Sequence, residues 1–431
     1  MICWSNSSRL SGIDKLIPLI YMFFSSISIA FFLYSGEVSR NAFYILTYIS
    51  IIYFCYWVFK IDKKMHLYLL PTLVFLLGAS KLVWLLLTSS PEFPLVAHHY
   101  QISGKRMVLG YFVLYCIQRN LSQWRISFKA ASIASYILFV LLIMISVTNA
   151  VLYLKTGERV KVNSDAATSG AYMFVLFSML TIYCLRRFTP KLYRPLCLAA
   201  LILSVINLLA TETRSALLFY GLFIIFCLVH DLFYGKKAHK KLFAAIILTT
   251  VAFALFLAKP YYNPALERMD AIQQEVTLYT QGQNNSSVGA RLSLWKSAWY
   301  SFKHHPLGQS VDSRNALATR YIVQHENSNQ EALNNIQFHT HNDLLDTLSL
   351  QGIFGGIIML AFFIALLLWP FKMFPGSQAF LLLSLPVVFF SQGDCQFYNR
   401  ESPYLMILVL GFLMMLRLVD VPKSRAETLP D

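Results

Sequence analysis

The sequence predicts an all-α polytopic membrane protein, with about 12 transmembrane helices and one large outer loop between the ninth and the tenth. Three observations predict it. Of the 431 residues, 57% are hydrophobic and only 13% are charged, against roughly a quarter charged in a soluble domain. Apolar runs recur along nearly the whole chain, and a membrane-crossing helix takes about 20 mostly apolar residues. Loops rich in lysine and arginine fall at every second position, the bias of a topology that keeps basic segments on the cytoplasmic side.

The first apolar run, residues 16–34, follows Arg9 and Lys15 without a small-residue cleavage site, so it reads as a retained signal anchor. The runs that follow are 42–59, 67–87, 102–118, 130–152, 171–185, 196–210, 216–233 and 242–258, and after a long polar stretch 352–369, 379–391 and 404–416. Those beginning at Ile102, Leu196 and Ala379 are shorter than a full span and borrow flanking polar residues. Basic loops at 60–64, 119–129, 186–194 and 236–241 all land on one side, which puts both termini in the cytoplasm and residues 260–340 outside, in the periplasm. The loop 154–162 runs against this bias with Lys155, Arg159 and Lys161. Four regions result: helices 1 to 9 over 1–259, the outer loop over 260–343, helices 10 to 12 over 344–418, and a cytoplasmic tail over 419–431.

The net charge of +15 is dispersed over short loops and forms no stripe, so topology accounts for it and no nucleic acid partner is expected. Cys55, Cys116, Cys184, Cys197 and Cys227 lie in or beside apolar runs on the cytoplasmic side, with neither a disulfide framework nor metal-ligand spacing. Within the outer loop, Leu292, Trp295, Ala298, Trp299 and Phe302 recur at helical spacing before Pro306 and Gly308. That pattern predicts an amphipathic helix lying on the outer membrane face. Residues 309–337 are polar, and no regular structure is expected there.

Polar groups that border apolar runs on the outer side carry the candidate chemistry. Glu212 and Arg214 sit in so short a link that both must stay near the membrane surface; Arg214 is either an interface anchor or a fork for phosphate oxygens. Arg291, at the start of the outer helix, is either a solvated charge or a second phosphate clamp. Lys81 interrupts an apolar run in its outer half, where a charge is costly unless paired or functional, within reach of the groove expected below His341 where Gly352 and Gly356 admit a neighbouring helix. Thr340 and Asp343 have capping-box spacing, which starts a helix at His341. His341, Gly352 and Gly355 then fall near one face, and Gly352 with Gly356 forms a GxxxG pair that lets another helix approach. A first-turn histidine stays neutral beside the positive helix end and is a competent proton acceptor. His339 with His341 is rejected as a metal pair, because no convergent carboxylate set accompanies them.

These residues resemble a known family. His341-Asn342, nine residues, Gly352, two residues and Gly355 match the H-[NSQ]-x9-G-x-x-[GTY] signature of O-antigen ligases. Residues 290–310 resemble that family's Arg-x-x-x-Trp helix, here Arg291 and Trp295, followed by a His-Pro-x-Gly turn. The resemblance implies a fold similar to C-type glycosyltransferases and transfer of O-antigen from undecaprenyl pyrophosphate to lipid A-core, at the periplasmic face of the bacterial inner membrane. It also implies that no cofactor or metal is needed, that His341 is the essential histidine, and that Arg214 and Arg291 are the basic pair. Glu212 would orient Arg214 or act as base, and Asn342 belongs to the substrate-binding set. An O-antigen polymerase shares this chemistry; a lipid-linked glycan transporter and an envelope scaffold are the readings from other classes.

Overall fold

A computed structural model of the protein describes residues 12–61, 66–164, 166–189, 192–234, 286–373 and 379–420, together with residues 275, 277, 279 and 281. The described residues are helical almost throughout: α1 (Gly12–Phe31), α2 (Gly36–Tyr56), α3 (Leu69–Leu87), α4 (Pro94–Arg119), α5 (Phe128–Thr156), α6 (Ala167–Phe188), α7 (Tyr193–Thr211), α8 (Arg214–Tyr234), α9 (Ser287–His304), α10 (Val311–His325), α11 (Gln330–Ile336), α12 (Asp343–Met373), α13 (Ala379–Phe390) and α14 (Ser402–Leu416). A two-residue parallel pair, β1 (Ile126–Ser127) with β2 (Val419–Asp420), is the one strand contact among them.

Five of these helical segments are long and apolar enough to cross a membrane, and four shorter apolar ones join them. Eleven of the twelve expected apolar runs lie on a described helix. The run 242–258, the basic loop 236–241 and the first part of the outer loop fall outside the described residues, as does most of the tail. One boundary is corrected: α4 begins at Pro94 rather than near Ile102, because proline at a helix start needs no amide partner and the polar turns that follow pack against protein.

α14 is buried along its whole length, and α6 is nearly so, which makes them the centre of the bundle. Around them α2, α5 and α8 turn Ile45, Ile52, Val140, Val147, Leu218 and Leu222 outward. Exposed apolar side chains on continuous helices are the pattern a lipid solvent favours. α3 lies along α4 at a close crossing: a Cβ on Gly78 would stand 2.6 Å from the Gly104 carbonyl oxygen, so only glycine admits this approach.

Residues 286–342 correct one expectation. Residues 309–337 are not irregular: they form α10 and α11, each begun by a side-chain cap, Ser310 accepting from the Ser313 amide and Asn329 from the Ala332 amide. α9 packs on the rest of the protein through a face that shares only Ala298 with the predicted apolar stripe. Its buried face is Ala290, Leu294 and Ala298 with three serines, and Ala290 and Leu294 pack on Ala318, Ile322, Ala332 and Ile336 of α10 and α11. Trp299 is left outward. Small residues win because three short helices must approach closely to make a core of their own.

α12 corrects another. It breaks at Gly352 (φ 68°, ψ −161°), and the turn at 305–308 fills the break. The Ile353 amide donates to the Pro306 carbonyl and the Gln309 amide to the Leu350 carbonyl, both at 2.8 Å, so the groups freed by the break are paired. A Cβ on Gly352 would meet the Pro306 oxygen at 2.4 Å. Gly355 and Gly356 face their own helix, where a Cβ would strike Gln351 and Leu348. The glycines therefore seat a turn of the outer segment and bend one helix back on itself; they do not line a GxxxG contact with a neighbouring one.

Candidate active site

The segment from His339 to Asp343 and the loop from Ser391 to Arg400 are laced together just before α12. The helix starts at Asp343, and its cap is Asn342, whose Oδ1 accepts from the amides of Leu344 (3.1 Å) and Leu345 (3.0 Å). This corrects the expected Thr340 cap: asparagine satisfies two free helix-end amides, while the Thr340 hydroxyl donates to the Asn342 carbonyl. His341 therefore precedes the helix, and the helical-face alignment with Gly352 and Gly355 does not apply. Asn342 also donates to Gln392 Oε1 at 3.2 Å, so both ends of its amide are engaged within the protein. Asp343 accepts from the amides of Gln396 (2.8 Å) and Phe397 (3.0 Å), which ties the 391–400 loop to the helix start.

His341 has a left-handed backbone, φ 54°, and its ring turns toward that loop. Nδ1 lies 3.2 Å from Asp394 Oδ1. Asp394 is buried and accepts further hydrogen bonds from the Cys395 amide, Thr168 and Ser169. Burial alone would raise its pKa, but the His341 bond and the two imidazoles beside it outweigh burial and hold the carboxyl well below its usual range. As an anion Asp394 can only accept, so the Nδ1 proton stays on His341 and Nε2 keeps its lone pair. His339 packs edge-on against His341 at 4.5 Å between ring centroids, and burial followed by the neighbouring imidazole lowers its pKa to about 4. The carboxylate found missing from the sequence around the histidine pair is thus present: His339, His341 and Asp394 converge.

Trp295 donates from Nε1 to the His341 carbonyl at 3.4 Å. Arg291 stands one helical turn earlier on α9, half-buried and close enough to the Tyr172 phenol to act on it electrostatically. The Tyr172 hydroxyl bonds to Ser215 at 2.6 Å, beside Arg214 at the first turn of α8, while its ring stacks on Phe390 with centroids 4.0 Å apart. Arg214 itself is exposed. Tyr172 thereby gathers the segments of Arg214, Arg291 and Asp394 around one hydroxyl. Glu212 has φ 50°, ends α7 and accepts from Tyr153.

Lys81 is buried: its ammonium donates to Ser103 (3.1 Å) and to the Phe397 carbonyl. It supports the loop that carries Asp394 and is not presented to a groove. Sequence reasoning missed Asp394, Tyr172 and Arg314. Arg314 is fully buried, pairs with Asp346 at 3.0 Å, and the same Asp346 oxygen accepts from the Thr340 amide, one residue before His341. The signal for Asp394 was available, since it occupies a short polar link between two apolar runs, as Glu212 does. Nothing local marks Tyr172 or Arg314.

A histidine–carboxylate pair beside arginine-bearing segments is an arrangement of the class that acid–base transfer enzymes use. The comparisons narrow the class. Residues 199–360, which include Arg214, Arg291 and His341, match the family model described as O-antigen ligase. The chain is 25% identical over 357 residues to the O-antigen ligase of Escherichia coli (strain K12), with 81% of each chain covered. Both comparisons are to O-antigen ligases, so the chain is similar to that superfamily over the region that carries Arg214, Arg291 and His341.

Proposed function

We propose that the protein transfers O-antigen polysaccharide from undecaprenyl pyrophosphate to the lipid A-core oligosaccharide, with inversion and without metal, at the periplasmic face of the inner membrane. The observation that carries the reading is the 3.2 Å contact between His341 Nδ1 and Asp394. It leaves Nε2 as the base. As an acceptor sugar hydroxyl attacks the anomeric carbon, its proton passes to Nε2, the bond from that carbon to the diphosphate oxygen breaks, and undecaprenyl pyrophosphate departs. Asp394 stabilises the imidazolium that forms. Arg214 and Arg291 donate to the diphosphate, where negative charge grows in the transition state. Asn342, Lys81 and Glu212 serve by position: the first two fix the His341 segment and its partner loop, and Glu212 shapes the link that carries Arg214. Twelve membrane spans, with the outer segment in the periplasm, complete the reading.

The test uses purified protein in detergent with lipid-linked glycan as donor and rough lipopolysaccharide as acceptor, without any gradient. Capped lipopolysaccharide is expected from the wild type, and loss on the order of 10²-fold or more from His341→Ala. Full product from that variant removes His341 as the base. Product formed on lipid-linked glycan instead of lipopolysaccharide would make the protein a polymerase.

A further inference from the structure

His341 Nδ1 stands 3.2 Å and His339 Nε2 3.8 Å from the same Asp394 oxygen, and the three ligand-capable atoms all lie within 4.8 Å of one another. We propose that His339, His341 and Asp394 form a binding site for a zinc-class divalent transition-metal ion, and that its occupancy switches transfer off. The inhibitory half rests on the reading of His341 as the base; the binding half does not.

Two imidazole nitrogens and one carboxylate oxygen are a donor set suited to Zn²⁺ with a fourth position left open. With metal–ligand bonds of about 2.0–2.2 Å, tetrahedral ligand atoms sit roughly 3.3–3.5 Å apart. The 3.2 and 3.8 Å separations bracket that value, and the two histidine nitrogens, within 4.8 Å of each other, need at most about 1.4 Å of side-chain movement to reach it. The ligands are already held in place. Cys395, Thr168 and Ser169 fix the carboxylate, Trp295 fixes the His341 backbone, and Tyr398 packs on the His339 ring at 5.0 Å. Access exists, since the His341 and His339 side chains are 22% and 16% exposed.

Occupancy has a defined chemical effect. A metal on His341 Nδ1 displaces the proton shared with Asp394, and the neutral ring then carries its hydrogen on Nε2. The lone pair that would take the acceptor's proton is gone. On His339 the ion takes Nε2 and moves the ring proton to Nδ1, giving up only the long 3.3 Å bond from the His341 amide. Mg²⁺ demands an octahedron of oxygens and finds no such set here.

The full chain in detergent, stripped with a chelator, is titrated with Zn²⁺ by calorimetry and with Co²⁺ by visible absorption. His339→Ala, His339→Gln and His341→Ala are compared with the wild type after size-exclusion and thermal-melt checks. One equivalent is expected in the wild type, with Co²⁺ ligand-field bands, and affinity at least tenfold weaker in the variants. Zn²⁺ should suppress wild-type transfer reversibly with EDTA, Mg²⁺ should not, and each His339 variant, scaled to its own metal-free rate, should need at least tenfold more Zn²⁺. Absence of a stoichiometric site, or equal affinity in the histidine variants, overturns the proposal. Zn²⁺ bound as expected by a chain that transfers nothing when metal-free would instead sink the ligase reading and leave the site standing.

Discussion

His341 holds a backbone conformation that a residue with a Cβ seldom adopts, and its neighbours impose it. Its carbonyl is taken by Trp295, the preceding amide by Asp346, and the following side chain caps α12. The ring is thereby aimed at Asp394 before any substrate arrives. Asp394→Asn keeps the shape but removes the charge that steadies the imidazolium, so the maximal transfer rate should fall by about 10²-fold or more with little change in KM. Steady-state kinetics at saturating donor would reveal it, and an unaltered rate would break the pairing argument. The acid side of the stability profile belongs to the same residues. His339 titrates near 4 in the fold against 6.5 for a free histidine, so the unfolded chain takes up the proton first as pH drops. Its contribution is complete above about pH 6.5 and is lost as pH falls toward 4. Asp394, with its depressed pKa, adds stability that disappears only at still lower pH. Thermal midpoints in detergent from pH 7 to 4 should decline less steeply for His339→Gln than for the wild type; parallel slopes would contradict the assignment.

Among elements, the break in α12 and the 305–308 turn form the joint between helices α9 to α11 and the bundle. Gly352 combines φ 68° with a Cβ position 2.4 Å from the Pro306 oxygen, so Gly352→Ala meets backbone strain and backbone collision together. A cost of roughly 1–3 kcal/mol is expected from the strained conformation alone. Limited proteolysis should then cut near Leu307 faster than in the wild type, and transfer should fall with it; an unchanged cleavage rate would mean that the turn does not depend on this glycine. The motif was visible in the sequence but its partner was not. A glycine before an apolar run reads as a helix-contact site, whereas the groups it accommodates lie some forty-five residues earlier, in a turn that the sequence marks but whose docking on Gly352 no local pattern encodes. Helices α10 and α11 were hidden for a related reason: their core is a thin stripe of Ala318, Ile322, Ala332 and Ile336 inside polar sequence, buried only because α9 covers it.

At the scale of the molecule, the proposed orientation puts α9, the 305–308 turn and the 391–400 loop on the outer side and the 60–68 link on the inner side. Leu307 and Leu67 are 75% and 79% exposed, so cysteines placed there report each side separately. A membrane-impermeant maleimide applied to spheroplasts should label Leu307→Cys at once and Leu67→Cys only after permeabilisation. The reverse pattern would invert the topology. Among the described cysteines Cys116, Cys184, Cys197 and Cys395 are buried and Cys55 is half-buried, so the unsubstituted protein serves as the labelling control.

The sequence by itself determined the membrane class, most of the helix positions, and the histidine and arginines at polar borders. These are properties of each segment's partition between water and lipid, and a local pattern expresses them. Tertiary structure alone decided what those residues meet. Asp394 lies 53 residues beyond His341, Tyr172 joins segments from three parts of the chain, and Lys81 turns from a reaching cation into a buried support. Such pairings follow from how helices pack, and packing is fixed by shape complementarity between distant segments, which no single stretch of sequence contains.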